Sequence, residues 1–328
     1  MATESIVYVD PDAGGSGTGV DYTNAYTSLQ VAQKAKAKNL TISDEIYIFL
    51  CRSSGGTADT TSVLIDSSWI CDSTRYVVFR ADNSDKAKKT GWNTSKYRLE
   101  VTDDECFNII SYTSIIYLRL EYLQYRRKRI SVSWQSALDI AGGAAGSELR
   151  INSCFCSCEH NQVNGIRLRD ADYSVYIYNT IISGTFNLAL STTASSMYLY
   201  NAIIEGAVTG VDISAGVTAE LKNSAIFNNG NDINDGATST IDYNATDDGD
   251  GTHVIAPLDS DWANEFSDYA NGDFTLIAGG NCEDGGTDNP GSGLYTTDID
   301  GDNYTTPWSV GVDEYLAVVL SFVQVIII

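Results

Sequence analysis

The sequence predicts an all-β solenoid, and three observations carry the prediction. "SVYIYNTIISG" from Ser174 and "SMYLYNAIIEG" from Ser196 are near-copies 22 residues apart. A fixed period in this range marks one supersecondary unit stacked on copies of itself. "AELKNSAIFNNG" continues the series from Ala219, so Asn179, Asn201 and Asn223 recur at 22-residue steps, with Asn244 21 later and Asn152 27 before the first. The composition agrees: 4 prolines, 28 glycines and 20 tyrosines suit many short strands joined by turns rather than a helical bundle.

Taken in order, "SIVYVD" at Ser5–Asp10 reads as a strand and "PDAGGSGTG" as a loop. Asn24–Lys38 reads as an amphipathic helix, with Tyr26, Leu29, Val31, Ala32 and Ala35 apolar and Asn24 or Thr27 as N-cap. "DEIYIFLC", "RYVVFRA", "KYRLEV", "CFNII" and "SIIYLRLEYLQY" are short strands between turn residues. In the repeats each unit carries two strands: Ile166 and Leu168 precede Ile177, Leu188 and Leu190 precede Leu199, and Val211 and Ile213 precede Leu221. Alternation of apolar and polar side chains gives each strand one core face and one solvent face. About 22 residues suit one coil of a solenoid, and the recurrent asparagine marks a turn whose left-handed backbone it tolerates. Stacked asparagines at one corner are expected to hydrogen-bond each other along the solenoid.

The segments "YVDPDAGGSGTGVDYTNAYTSLQVA", "DEIYIFL", "VVFRADNS" and "GWNTSKYRLE" resemble the N-terminal part of right-handed parallel β-helix proteins of the pectate-lyase-like superfamily, of the kind encoded by tailed phages and bacteria. The ending "GDFTLIAGGNCEDGGT…TTDIDGDNYTTPWSVGVDEY" is similar to the closing segment of such proteins, so the resemblance spans most of residues 5–315. It implies a single-stranded right-handed parallel β-helix with an N-terminal capping helix. The expected division is residues 1–44 for the first strand and cap, 45–240 for the coils, 241–315 for a closing segment and 316–328 for an apolar tail. The fold hosts lyases, hydrolases, adhesins and virion proteins alike, so it does not choose among them.

Charge is distributed unevenly. Residues 1–170 carry 19 Lys/Arg and 20 Asp/Glu, whereas residues 171–328 carry Lys222 alone against 23 acids. The second half therefore repels nucleic acid, anionic lipid and acidic polysaccharide. Seven cysteines, at 51, 71, 106, 154, 156, 158 and 282, form no framework spacing and sit in apolar runs, which predicts free core thiols and folding in a reducing compartment. "MATESIVYVD" shows no signal peptide, so the expected site of synthesis is a host cytoplasm, with release by lysis or another route.

Several clusters are candidates for chemistry. In "RLRDADYS", Asp170 and Asp172 share a face at two-residue spacing beside Arg169, the nearest match to the carboxylates and base of a polysaccharide-cleaving site. A solvated turn is the alternative. Cys154, Cys156, Cys158 and His160 alternate along one strand face, but spread over about 20 Å at 3.3 Å per residue they suit a core ladder better than one zinc ion. Asp298, Asp300 and Asp302 flank Gly301 as candidate calcium ligands, and Asp247, Asp248 and Asp250 are similar in kind; no other cofactor is implied. Arg126, Arg127, Lys128 and Arg129 read as a solvated loop or a contact for an acidic surface. Tyr173, Tyr176, Tyr178, Tyr198 and Tyr200 form either an outward ladder suited to stacking on sugar rings or ordinary cross-strand packing.

The chain ends in a run without charge, in which Leu316, Val318, Leu320, Phe322, Val325 and Ile328 are among ten large apolar residues. At about fourteen residues it is short of the ~20 that a membrane span needs, and it reads as a strand for assembly with other virion proteins or copies of the same chain. The expected function is a non-enzymatic virion structural protein of a tailed bacteriophage, a capsid decoration, fibre or tail-associated adhesin that contacts host-surface glycan and no nucleic acid. A polysaccharide lyase or glycoside hydrolase, and a bacterial surface adhesin, remain the alternatives.

Overall fold

The computed structural model describes residues 2–129, 135–169, 173–193, 196–255 and 261–316. Nine strands stack in chain order and in parallel to form the first face: Thr3–Val9, Glu45–Cys51, Val77–Ala81, Tyr117–Glu121, Ser147–Asn152, Tyr173–Tyr178, Ser196–Tyr200, Ala219–Lys222 and Thr240–Asp242. Parallel pairing of consecutive strands requires the chain to travel around a coil between them. The chain is a parallel β-helix. Ser174 lies opposite Ser196 and Met197 opposite Ala219, the 22-residue spacing of the repeats. Earlier coils are longer: Thr3 lies opposite Glu45 because a loop and the helical segments Leu29–Lys36 and Leu40–Ser43 intervene.

Apart from Phe266–Asp268, which pairs antiparallel with Asp273–Leu276, twelve further strands make two more faces that merge into one sheet. They merge because Ile181–Thr192 and Ile203–Ile213 run continuously around the bend, with a register shift between Ser183 and Phe186. Gly206 sits at this bend with φ 83°, and a Cβ there would lie 2.5 Å from the Gly184 carbonyl oxygen. Only glycine lets the two coils approach so closely.

Alternation fills the interior. In Tyr173–Tyr178 the inward Val175 and Ile177 are fully buried; elsewhere in the interior Phe49 meets Phe79 edge-on at 5.3 Å and Phe79 stacks on Phe107 at 6.2 Å. All seven cysteines are free and buried, with Cys154, Cys156 and Cys158 in the core as a ladder. His160 does not join them; it is exposed beyond the strand Phe155–Cys158. Desolvation pushes the Cys71 thiol up to about 11 and those of Cys106 and Cys154 to about 12, so attack as thiolate is suppressed in the folded chain. A disulfide reagent at pH 8 is expected to modify fewer than one thiol per folded chain and all seven in guanidinium. Rapid modification of the folded protein would place the ladder outside the core.

The N-terminal helix is shorter than the sequence pattern suggests. It spans Leu29–Lys36, followed by a single turn at Leu40–Ser43. Neither Asn24 nor Thr27 caps it: Ser28 holds the N-cap position, and the buried carboxylate of Asp59 accepts the Leu29 N–H at 2.7 Å. A cap supplied from thirty residues away leaves no local signature. Leu29 and Ala32 pack on the core while Val31 is 54% exposed.

The corner between the first and second faces carries the repeated asparagines. Tyr122, Ser153, Asn179, Asn201, Asn223 and Tyr243 follow successive first-face strands with φ between 45° and 61°. The outer members of the expected series are one residue out of register, since Asn152 pairs with Tyr178 and Asn244 follows Tyr243. Nor do the amides of the central three bond each other. They reach outward to residues 261–316, which run back along the flank as a strap. Asn179 donates to the Thr297 carbonyl at 2.7 Å, Asn201 to those of Ser309 and Gly311 at 2.8 and 3.0 Å, and Asn223 to that of Thr287 at 2.8 Å.

The strap seals a second apolar cluster. Phe155, Ile181, Ile203, Ala225 and Ala245 form an outward column of the second face, covered by Phe266, Phe274, Ile299, Val310 and Val312. The Phe274 N–H donates to the Lys89 carbonyl at 2.9 Å, so the strap reaches back to the early coils.

Candidate functional site: two grooves beside the strap

Among the residues singled out from sequence, Arg169 is engaged within the protein. Its guanidinium and that of Arg167 both bind the buried carboxylate of Asp139, each through Nε at 3.0 Å. Arg167 lies directly opposite Asp139 on adjacent strands, which explains the pair. Asp170 and Asp172 lie outside the described residues. Of the tail, Leu316 is described and 47% exposed, whereas Val318, Leu320, Phe322, Val325 and Ile328 lie outside them.

The aspartates proposed as calcium ligands organise a strap turn. Asp298 is fully buried, and its Oδ1 accepts the N–H groups of Asp300, Gly301 and Asp302 at 2.8–2.9 Å while Oδ2 accepts that of Glu314 at 3.2 Å. Asp300 faces Lys88 and Lys89 at 3.5 and 3.3 Å. Asp247, Asp248 and Asp250 likewise accept backbone or indole N–H groups. Among the described residues no three His, Cys, Asp or Glu side chains are placed to hold a metal ion. His253 pairs with Asp242 at 2.8 Å and stacks on Tyr243 at 4.8 Å.

The basic run is a strand, Gln124–Arg129, rather than a solvated loop. Arg126 binds Glu100 at 2.5 Å and Glu159 at 3.0 Å, Lys128 binds Glu100 at 2.9 Å, and Arg127 is fully buried facing Glu105 at 3.9 Å. The glutamates that bind Arg126, Arg127 and Lys128 come from other coils, so these three offer little free positive charge to a partner.

The tyrosines divide into three sets. Tyr173 points inward and is buried in the core. Tyr178 and Tyr200 face outward but lie beneath the strap with Tyr295 and Trp308; burial pushes the Tyr178 hydroxyl up to about 12. Tyr176 and Tyr198 remain at the surface, stacked with centroids 4.7 Å apart and planes within 10°. Pairing of Tyr176 with Tyr198, and of Tyr198 with Glu220, sets this ladder along the axis.

Tyr176 and Tyr198 line the first groove, which has a cavity volume of about 540 Å³. Tyr200 and the strap residues Gly291–Leu294 form its other side, and Arg150 and Glu220 stand at its two ends. Arg150 is held by Glu148 at 2.6 Å and Glu220 by Lys222 at 2.6 Å. Each charge in the groove is thus already paired, the Arg150 guanidinium lies over the Tyr176 ring at 5.8 Å, and both tyrosines are half-buried. A second groove of about 600 Å³ lies on the opposite side of the strap, over the second face.

The solved structure of pectate lyase Pel9A is similar to this chain over 96% of this chain and 97% of that one, with 13% identity and a TM-score of 0.45. No family model and no curated protein matches the chain. Among the described residues no helix is long and apolar enough to cross a membrane.

Proposed function

We propose that the protein binds glycan through the Tyr176–Tyr198 groove and does not cleave it, as a structural or adhesive component of a tailed-phage virion. The observation that carries the reading is the stacked, strap-walled tyrosine pair that stays half-buried at the groove while its neighbours Tyr178 and Tyr200 are buried. Aromatic rings present apolar area at small entropic cost, and their hydroxyls supply hydrogen bonds at the rim. Pyranose rings have the matching apolar faces and polar edges. Glycosidic hydrolysis needs two carboxyl groups about 5–9.5 Å apart facing one bond, and the one carboxylate lining this groove, Glu220, is bound to Lys222. The virion setting rests on the sequence resemblance, and assembly through the tail from Leu316 rests on its apolar run.

An array of bacterial surface polysaccharides tests the reading. The protein is expected to retain a subset of these glycans, with binding about tenfold weaker in Tyr198→Ala, equivalent to ~1.4 kcal/mol. No unsaturated or reducing ends should appear in the supernatant. Release of such ends would instead favour a lyase or hydrolase, and retention unaffected by Tyr198→Ala would remove the groove from the account.

A further inference from the structure

The second groove has a composition of its own. Its floor is an outward column of the second face in which Ser157, Ser183 and Glu205 follow one another on successive coils. Ser183 Oγ donates to Glu205, and the Asn228 amide approaches the other carboxylate oxygen at 3.5 Å. Tyr269, carried by the strap and set edge-on against Phe227 at 5.7 Å, stands at the wall. Trp92 closes the end nearest the early coils, packed edge-on against Phe155 at 6.0 Å and covered on one face by Arg126 at 4.6 Å.

We propose that this groove is a second carbohydrate site, selective for neutral hexopyranose units. Its volume lies in the range of small-molecule sites, and it combines hydroxyl, carboxyl and amide groups on the floor with aromatic rings at the wall and end. That pattern supplies both donors and acceptors to sugar hydroxyls and an apolar edge to the ring. Anionic sugars are disfavoured. Arg126, which covers Trp92, is committed to Glu100 and Glu159, and among the described residues Glu205 supplies the one acidic or basic side chain lining the groove. Cationic sugars gain little, because the Ser183 hydroxyl and the Asn228 amide already occupy the Glu205 carboxyl, and burial also holds that carboxyl above the usual range. A ligand here touches solenoid and strap together, so binding also stabilises the strap on the coils.

This inference is independent of the tyrosine groove, and calorimetry in a Tyr198→Ala background separates the two. The probes are maltotetraose, cellotetraose and the N-acetylglucosamine tetramer as neutral sugars, with tetragalacturonate and the glucosamine tetramer as charged ones. At least one neutral tetrasaccharide is expected to bind, about tenfold more weakly when Tyr269→Ala is added and about fivefold more weakly with the conservative Glu205→Gln. The charged probes are expected to bind at least tenfold more weakly than that neutral sugar. Glu205→Gln preserves the side-chain shape but exchanges one acceptor oxygen for an amide donor, so its far-ultraviolet dichroism should match the parent and its affinity remains readable if Tyr269→Ala unfolds. The proposal is overturned if no neutral tetrasaccharide binds in the Tyr198→Ala background, if binding is indifferent to Glu205→Gln, or if tetragalacturonate binds as well as the neutral sugars. Binding lost in the background but present in the wild type would leave the tyrosine groove standing alone.

Discussion

Replacing Asn201 with leucine is expected to lower the unfolding free energy by about 4 kcal/mol, the largest single-residue effect outside the inner core. Asn201 is fully buried, donates to the carbonyls of Ser309 and Gly311, and accepts the Tyr295 hydroxyl at 2.7 Å. Leucine removes hydrogen bonds, each worth roughly 1 kcal/mol or more, from the Ser309 and Gly311 carbonyls and the Tyr295 hydroxyl, leaving Gly311 only the long bond from Tyr304. It also occupies φ 45°, a left-handed position that costs a branched side chain about 1–2 kcal/mol. Asn201→Gly separates the two contributions: it removes the hydrogen bonds but accepts the backbone, and should recover about 1 kcal/mol. Urea unfolding gives both values, and hydrogen exchange should locate the weakened protection in residues 261–316. If Asn201→Leu stays within 1 kcal/mol of the wild type, the asparagine column does not hold the strap.

The second large effect is a rise in stability on acidification from pH 8 to pH 5, on the order of 2–4 kcal/mol after solvent screening. Burial pushes the carboxyl of Asp232 up to about 7, and those of Asp250 and Asp298 up to about 6. Burial likewise raises Glu105 to about 7. Their unfolded values lie near 4, so between pH 4 and 7 the folded chain binds more protons than the unfolded one. Stability from these groups is therefore full below about pH 4 and is lost as pH rises through 6 and 7. Carboxylates held low by partners act in the opposite sense. The hydrogen bonds and ion pairs of Glu100 with Lys128 and Arg126 outweigh its desolvation, and their loss should reverse the trend below about pH 4. Melting temperature should thus peak near pH 5. Asp232→Asn should flatten the pH 6–8 limb, and a melting temperature that rises from pH 5 to 8 would contradict this charge balance.

Periodicity made the coils legible, and it did so through particular residues. Asn179, Asn201 and Asn223 sit at one left-handed corner because each follows a strand paired in register with the next. Their partners were not legible, since the Ser309 carbonyl bonded by Asn201 lies 108 residues away in a segment without repeats. The same strap decides the candidate site. Alternation places Tyr176, Tyr178, Tyr198 and Tyr200 on one outer face, but only the strap's Tyr295 and Trp308 determine that the second and fourth are covered. Glu205 escaped notice because its neighbours Ser183 and Asn228 come from adjacent coils, at separations of 22 and 23 residues. The repeat spacing held the signal that could have found it: within the period, residues one coil apart share a column. Arg126, Arg127 and Lys128 read as a solvated loop for the opposite reason: they are a local cluster of charge whose neutralising Glu100 and Glu105 are remote in sequence.

The most direct test of the binding account is saturation-transfer difference spectroscopy with an oligosaccharide retained on the array, irradiating the aromatic protons. Transfer is expected onto ring protons of one sugar face, strongly reduced in Tyr198→Ala, with the oligosaccharide spectrum unchanged after prolonged incubation. Transfer indifferent to Tyr198→Ala, or the growth of new anomeric or unsaturated-ring signals, would contradict a glycan held intact on the Tyr176–Tyr198 groove.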